Sequence, residues 1–411
     1  MENNQPIRHK CCGPAGPNFF WQGEKDSGYH IRFEVRLDHE INGGMLQEAY
    51  EETMHVWPML MDAFVEEDDG FLYFEENDRP LKVHHNPMPV APGHGLNADR
   101  LLAVSYDGDT LYFSGMHVFF DGGSVMKLAK GVLCRYLKLY SGKDFPVQDL
   151  PVPGEGDKPE YYDFYMMRED ILSLPYEYQE EVYKPASFAH EPGFAMKEKE
   201  TYNMCRVAVN AQDFMKYCKE NNASPSIMFF LLLAKTFYRL HPEETLPVTT
   251  NITRDIRSTL GLEMSIMGQA FGTDIFVERE DLEQLPLSEA AGKVKASMAC
   301  QRKKDYLLSR VHDTMSTREP GEYIPSTIGT LAYLGRLDYG EYTGYIKDFS
   351  ISYGTSSNVN IVDLNGIFHI DVQLGEATQP YAETLLKLFR ENGIEAMIIR
   401  ETGPIPSEVR E

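Results

Sequence analysis

The chain has 411 residues, 42% of them hydrophobic and 12% aromatic, which is an ordinary globular composition with material for a large buried core. At about 150 residues per domain this length corresponds to two or three domains. The formal net charge of -24 excludes a nucleic-acid partner, whose phosphates need a basic footprint, and would repel an anionic lipid surface. The longest greasy stretch, Ile227 to Ala234, is far shorter than the roughly 18 apolar residues of a membrane span, so no membrane segment is expected. The N-terminus lacks the apolar region of a signal peptide. Six cysteines without a C-x-x-C pair fit neither a disulfide framework nor a zinc site. A reducing cytoplasm is the expected compartment.

In chain order, Gly28 to Leu37 is rich in β formers and reads as a strand. Asn42 is placed to cap a helix whose apolar positions run from Met45 to Met54, and Pro58 should end or kink it. Phe71 to Glu75 and Leu81 to His85 read as short strands. Leu101 to Tyr106 and Leu111 to His117 read as a hairpin turning at Asp107-Gly108-Asp109. Ser124 is the expected cap of a helix that should stop before Gly142. The segments 143–159 and 184–200 are irregular in composition, and the domain linker is expected between Ser141 and Glu200.

The second half opens on a strand, Thr201 to Asn210, and a helix, Ala211 to Asn221. Ser224-Pro225 then starts a strongly apolar helix through Tyr238, since proline at the first helical position needs no donor. A strand over Leu246 to Ile252 and one helix over Leu287 to Arg310 follow. Gly329 to Leu334, Phe349 to Tyr353, Val359 to Leu364 and Ile367 to Leu374 read as strands, and Tyr381 to Asn392 as the last helix. Alternating strands and helices, with hairpins among them, indicate an α/β protein with mixed sheets.

The segment that carries chemistry is SGMHVFFDGGS, Ser114 to Ser124. A histidine ends a strand, and Asp121 and Gly122 begin the turn into a helix. His117 can hold an unprotonated nitrogen near neutral pH and take a proton from a hydroxyl or amine. Gly122 permits close backbone approach, and Asp121 can fix the loop through an ionic partner. Taken alone the motif has a second reading, a satisfied histidine at a strand end followed by turn residues.

The wider chain resembles the superfamily of chloramphenicol acetyltransferase, condensation domains, alcohol acetyltransferases and plant acyl-CoA-dependent acyltransferases. Several segments in order carry the resemblance: His55 to Leu60, Met116 to Gly122, Ser224 to Ala234, Asp255-Ile-Arg-Ser-Thr-Leu260, Gly268-Gln269 and Leu331 to Gly335. The resemblance implies two similar chloramphenicol-acetyltransferase-like lobes, taken as 1–175 and 176–411, with a tunnel between them. It implies an acyltransferase with His117 as general base, attacking no substrate covalently itself. It implies that Asp121 is structural and pairs with an arginine from the other half, Arg257 or else Arg254. No bound cofactor and no metal are called for. A coenzyme A thioester or an acyl carrier protein is the donor, and a small alcohol or amine the acceptor.

The chain also departs from the pattern. Met116 stands where many members have a first histidine, and Asp348-Phe-Ser-Ile-Ser replaces the Asp-Phe-Gly-Trp-Gly of the plant enzymes. Ala332-Tyr333 replaces Ser-Asn, which leaves Thr330, Tyr333 or backbone amides as candidate oxyanion donors. Two basic patches are candidates for the CoA phosphates, Gln301 to Lys304 and the trio Lys127, Lys130, Lys138; the alternative is that both are solvated helix faces. His84, His85 and His94 lie close in sequence, but a solvated loop is the reading preferred to a metal site. Trp57, Met59 and Met61 are assigned to the core, and the tyrosines of 161–183 either line an acceptor pocket or pack at the surface. Two rivals remain: a stand-alone condensation-type enzyme with a carrier-bound donor, and a non-catalytic binding protein that keeps the fold.

Overall fold

A computed structural model describes residues 8–12, 30–66, 72–117, 119–150, 173–182, 184–192, 201–260, 263, 265–266, 270–317, 326–353 and 357–406. The first half contains β1 (Arg8–Cys12), β2 (His30–Leu37), α1 (Gly43–Met54), β3 (Ala63–Glu66), β4 (Leu72–Glu75), β5 (His84–His85), β6 (Leu102–Asp107), β7 (Thr110–Met116) and α2 (Gly122–Ser141). Asn42 caps α1 as expected, its side-chain oxygen accepting from the amides of Gly44 and Met45 at 3.0 and 3.1 Å. Pro58 lies beyond the helix and opens a 3-10 turn, Pro58–Met61. The hairpin between β6 and β7 turns at Gly108, whose φ of 54° favours glycine. The expected strand at 81–85 shrinks to His84–His85. Just upstream, the Arg100 guanidinium holds the carbonyls of Arg79 and Pro80, so these groups serve a side chain instead of a ladder.

The helix α2 starts one motif earlier than its expected cap. Asp121 is the N-cap, accepting from the Ser124 amide at 2.7 Å, while Ser124 occupies the third helical position and returns its hydroxyl oxygen toward the Asp121 amide. Gly142, at φ 67°, closes the helix as anticipated.

The second half contains β8 (Thr201–Asn210), α3 (Ala211–Glu220), α4 (Pro225–Leu240), β9 (Val248–Asp255), α5 (Arg257–Leu260), β10 (Ala270–Val277), α6 (Arg279–Gln284), α7 (Leu287–Gln301), α8 (Lys304–Thr317), β11 (Thr330–Arg336), β12 (Ile346–Tyr353), β13 (Asn358–Leu364), β14 (Ile367–Gln373), α9 (Thr378–Glu391) and β15 (Ala396–Pro406). The single helix expected over 287–310 is broken at Arg302. Gln301 is turned inward there, donating to the Asp274 carbonyl at 2.8 Å, and the chain restarts so that Tyr306, Leu307 and Leu308 are buried. β15 escaped the sequence reading because it contains Gly403-Pro404. It is the edge strand of its sheet, with a register shift between Thr402 and Ile405, and an edge tolerates proline.

The strands form a seven-stranded sheet in the order β10-β9-β11-β13-β14-β8-β15, a five-stranded sheet in the order β12-β2-β7-β6-β5, and a three-stranded sheet β1-β4-β3. The seven-stranded sheet is mixed: β11 runs parallel to both β9 and β13, and the other pairs are antiparallel. One strand crosses from the second half of the chain into the sheet of the first half. β12, from the second half, lies antiparallel to β2, with Ile346 opposite Leu37 and Tyr353 opposite Ile31. The five-stranded sheet is therefore completed by residues from the second half.

Two hydrophobic cores correspond to the two large sheets. In the first, α1 and α2 cover the five-stranded sheet with Trp57, Phe33 and Phe113 among the fully buried side chains, and Met59 buried beside them. In the second, α4 and α9 pack on the seven-stranded sheet around Phe214, Phe229, Phe368 and Phe389. β13 feeds both: Val359 and Ile361 enter the second core, while Val362 and Leu364 enter the first. A buried ion pair joins the sheets. Arg206 of β8 is 0% exposed, reaches Asp371 of β14 at 2.6 and 3.0 Å, and bonds Asp348 of β12. Asp371 also accepts from the Ile351 amide of β12 at 3.0 Å. Burial would raise the Asp348 carboxyl, but the bonds from His369 and Arg206 hold it well below the usual carboxylate range. Among the described residues no helix is long and apolar enough to cross a membrane.

Candidate active site

His117 follows directly on the last residue of β7, at the point where the chain leaves the five-stranded sheet and turns toward α2. Its Nδ1 lies 2.8 Å from the Phe120 carbonyl oxygen. A carbonyl only accepts, so Nδ1 carries the hydrogen, and in the neutral ring the lone pair sits on Nε2. Burial lowers the His117 pKa, outweighing the hydrogen bonds and the Asp121 charge that act in the opposite sense; His30 adds to the lowering. Burial thus favours the neutral ring, with its hydrogen on Nδ1. The Tyr353 ring stands over it, centroids 5.2 Å apart at 47°.

Asp121 is 4% exposed and is bonded within the protein. Its Oδ1 accepts from the Ser124 amide at 2.7 Å and the Ser124 hydroxyl at 2.9 Å. Arg257, arriving from the end of β9, donates through Nη2 to Asp121 Oδ1 at 3.1 Å and to Ser124 Oγ at 2.6 Å. The same guanidinium reaches the Ser265 carbonyl at 2.7 Å and Asp255 at 3.0 Å. Burial would lower the Arg257 pKa, but Asp121 and Asp255 raise it above its usual value, so it stays a cation. Of the two candidate partners, Arg257 is the one that meets Asp121. Arg254 lies on β9 and makes no bond to it.

Gly122 has a reason beyond backbone freedom. A Cβ there would stand 2.8 Å from the Tyr353 hydroxyl and 3.4 Å from Leu334 Cδ2. Gly122→Ala is expected to cost about 1–3 kcal/mol through overpacking. Adding Tyr353→Phe, which deletes the obstructing oxygen, should restore most of the loss; thermal melts of the single and double variants check this. Unequal outcomes are expected for the two oxyanion candidates. Tyr333 packs against the second core, its ring 6.1 Å from that of Phe368. It therefore lies on the face of β11 that packs on the second core. Thr330 lies on the opposite face of β11 from Leu331 and Tyr333, half-buried.

The other sequence candidates divide. Lys130 bonds the Gln148 carbonyl, Lys127 bonds the Glu263 carbonyl, and Lys138 pairs with Asp144 at 2.6 Å, so that trio is engaged by the chain itself. Gln301 is buried, whereas Arg302, Lys303 and Lys304 are exposed. Among the described residues no group of His, Cys, Asp or Glu could hold a metal. His84 is buried, and His85 stacks on Tyr106 at 5.0 Å. Tyr176 stacks on His312 at 4.7 Å and Tyr178 lies beside Arg310, which is packing. Tyr161 and Tyr183, like Gly268-Gln269, lie outside the described residues. Two site residues were not read from sequence. Ser124 was legible as the third helical position of a capping box. Tyr353 had no local signal, because only the β12–β2 pairing brings it to His117.

No family model and no curated protein matches the chain. Solved structures do. The first condensation domain of the CDA synthetase has a TM-score of 0.61 at 12% identity, covering 97% of this chain and 100% of that one. F. sporotrichioides TRI101, solved with coenzyme A and T-2, has 0.60 at 10% identity, covering 96% and 100%. Polyketide synthase associated protein 5 from Mycobacterium tuberculosis has 0.57 at 13% identity, covering 92% and 100%. At these identities the likeness speaks for the fold. Two large mixed sheets with their helices, joined at a shared seam, align over nearly the whole chain with such proteins. This chain therefore has the two-lobed α/β fold of chloramphenicol-acetyltransferase-like acyltransferases and condensation domains.

Proposed function

We propose that this protein is an acyltransferase that moves an acyl group from a CoA thioester to an alcohol or amine, with His117 as general base in a tunnel between the lobes. The observation that carries the reading is the Nδ1 bond of His117 to the Phe120 carbonyl, because it leaves Nε2 as the basic nitrogen of a neutral ring. The acceptor's O–H or N–H gives its proton to Nε2 while its oxygen or nitrogen bonds to the thioester carbon. The carbonyl π pair moves onto oxygen. Collapse of this tetrahedral oxyanion breaks the C–S bond, and the imidazolium returns the proton to the departing thiolate. Backbone amides and Thr330 are the oxyanion donors in this proposal. Asp121, Ser124 and Arg257 hold the loop and do not touch substrate.

The division into lobes 1–175 and 176–411 belongs to this proposal, with β12 crossing from the second into the first. So does a cytoplasmic location, supported by four free cysteines among the described residues, of which Cys134, Cys205 and Cys218 are buried. The deciding assay is thiol release from acetyl-CoA and longer acyl-CoAs across a panel of alcohols and amines. Absence of turnover over that panel, with no acyl-CoA binding, would leave the fold serving only to bind a partner.

The pH dependence has a definite sign. The base works unprotonated, so kcat/KM falls on the acid side as Nε2 takes a proton. Because burial depresses the His117 pKa, that limb should lie below the usual histidine pKa of about 6.5. An acid limb centred above neutrality contradicts the assignment.

A further inference from the structure

Most buried or half-buried arginines of this chain have evident work. Arg100 holds backbone carbonyls, Arg206 and Arg257 hold carboxylates, and Arg135 pairs with Glu52. Among the described residues Arg254 stands apart. It is half-buried on β9, and its Nη2 is shut off from solvent with no hydrogen-bond partner. The charged neighbour that acts on it is another cation, Arg302, at the end of α7; burial and Arg302 together hold Arg254 below its usual pKa. Arg302 is exposed and is followed by the exposed Lys303 and Lys304. Among the described residues, none of these four side chains forms an ion pair; the acids nearest in sequence are Asp255, which pairs with Arg257 at 3.0 Å, and Asp305, half-buried in the first turn of α8.

By itself that arrangement is unfavourable. A guanidinium removed from water without a partner loses solvation and gains nothing, and a like charge beside it adds repulsion. The chain has 63 acidic against 39 basic residues, so carboxylates to neutralise the cluster were abundant. Local rules broken without internal compensation mark functional positions. The place is also specific. Arg254 precedes Arg257 by three residues on the strand whose end reaches Asp121, so the cluster lies at the same end of β9 as the His117 loop. Ile252 and Arg254 share a face of β9, and Ile252 belongs to the second core. Arg254 therefore faces the α7 side of the sheet while Arg257 turns to the other lobe.

We propose that Arg254 and Arg302, with Lys303 and Lys304 at the rim, form a phosphate-binding site that takes the nucleotide phosphates of coenzyme A. The naming of the donor rests on the acyl-transfer reading above. Paired guanidiniums match phosphate oxygens in bidentate geometry, and several adjacent cations suit a ligand carrying a diphosphate and a phosphate monoester better than one phosphodiester.

Calorimetric titration of the full chain tests the site, using coenzyme A, adenosine 3′,5′-bisphosphate and phosphate-free pantetheine as ligands. Arg254→Gln, Arg302→Gln and the double variant are compared with wild type. The double variant should bind coenzyme A and the bisphosphate roughly tenfold to a hundredfold more weakly, with pantetheine unaffected. The melting temperature of Arg254→Gln should stay level or rise, since no bond is lost. The exposed Arg302 gives a variant that does not depend on tolerance of the buried site. Unchanged phosphate affinity in the double variant overturns the proposal, as does a wild type that binds neither coenzyme A nor the bisphosphate. Phosphate binding that depends on both arginines without thioester turnover keeps the site and rejects the acyl-transfer reading. Turnover with an acyl-CoA KM that both substitutions leave unmoved does the reverse.

Discussion

His117→Ala should lower turnover on the best substrate pair by roughly 10²–10⁴-fold, the usual contribution of a general base. The loss should appear equally in kcat and kcat/KM, because proton removal acts in the transition state and adds little to thioester binding. The fold should survive. The substitution removes the hydrogen bond to the Phe120 carbonyl, at a cost of about 1–3 kcal/mol, and leaves the Asp121–Ser124–Arg257 cluster intact. It should also flatten part of the acid sensitivity of stability. In the native protein the pKa of His117 is depressed by burial. As pH falls through the unfolded value of about 6.5, the unfolded chain takes up a proton that the native state refuses, so this group's contribution is lost toward acid. The alanine variant lacks that loss. Thiol release measured alongside melting curves at pH 5 and pH 8 separates the two effects, and wild-type release by the purified variant would falsify the mechanism.

Arg257→Met should destabilise the protein by about 3–5 kcal/mol, the cost of leaving a buried carboxylate without its cation. The expectation rests on Asp121, which is 4% exposed, and on a guanidinium that is 2% exposed and serves four oxygens, those of Asp121, Ser124, Ser265 and Asp255. Asp121→Asn should cost less. Asparagine is also a good N-cap and keeps an acceptor for the Ser124 amide, while the partly exposed Asp255 still neutralises Arg257. A double-mutant cycle should therefore show strong coupling, the pair of changes together costing well below their sum. Activity should fall with both, since Asp121 begins α2 four residues after His117 and a loosened cap displaces the base. If Arg257→Met melts with wild type, the ion pair between the lobes is not what holds this loop.

What the sequence determined by itself was local. Asn42 and Gly142 bound their helices, Ser224-Pro225 starts α4, and Gly108 turns the β6–β7 hairpin, because each depends on hydrogen bonds or backbone angles within a few residues. The His117 to Gly122 motif belongs to the same class: its strand end, carbonyl bond and capping carboxylate all lie within Met116 to Ser124. The order of motifs along the chain pointed to the overall fold for a different reason, resemblance, and the solved structures bear out the fold.

The tertiary structure decided whatever depends on which distant residues meet. β12 reads as a strand in isolation, but nothing local says that it completes a sheet begun at His30 or that it sets Tyr353 over His117. Arg257 is the first candidate partner in the sequence and Arg254 the second, three residues apart. They part because one stays on the alternating face of β9 and the other lies past the strand's end, where the chain turns toward Asp121. The same alternation puts Tyr333 on the face of β11 that packs on the second core. A strand's pattern marks two faces without naming what each will meet, and only the docking of the two sheets assigns the partners.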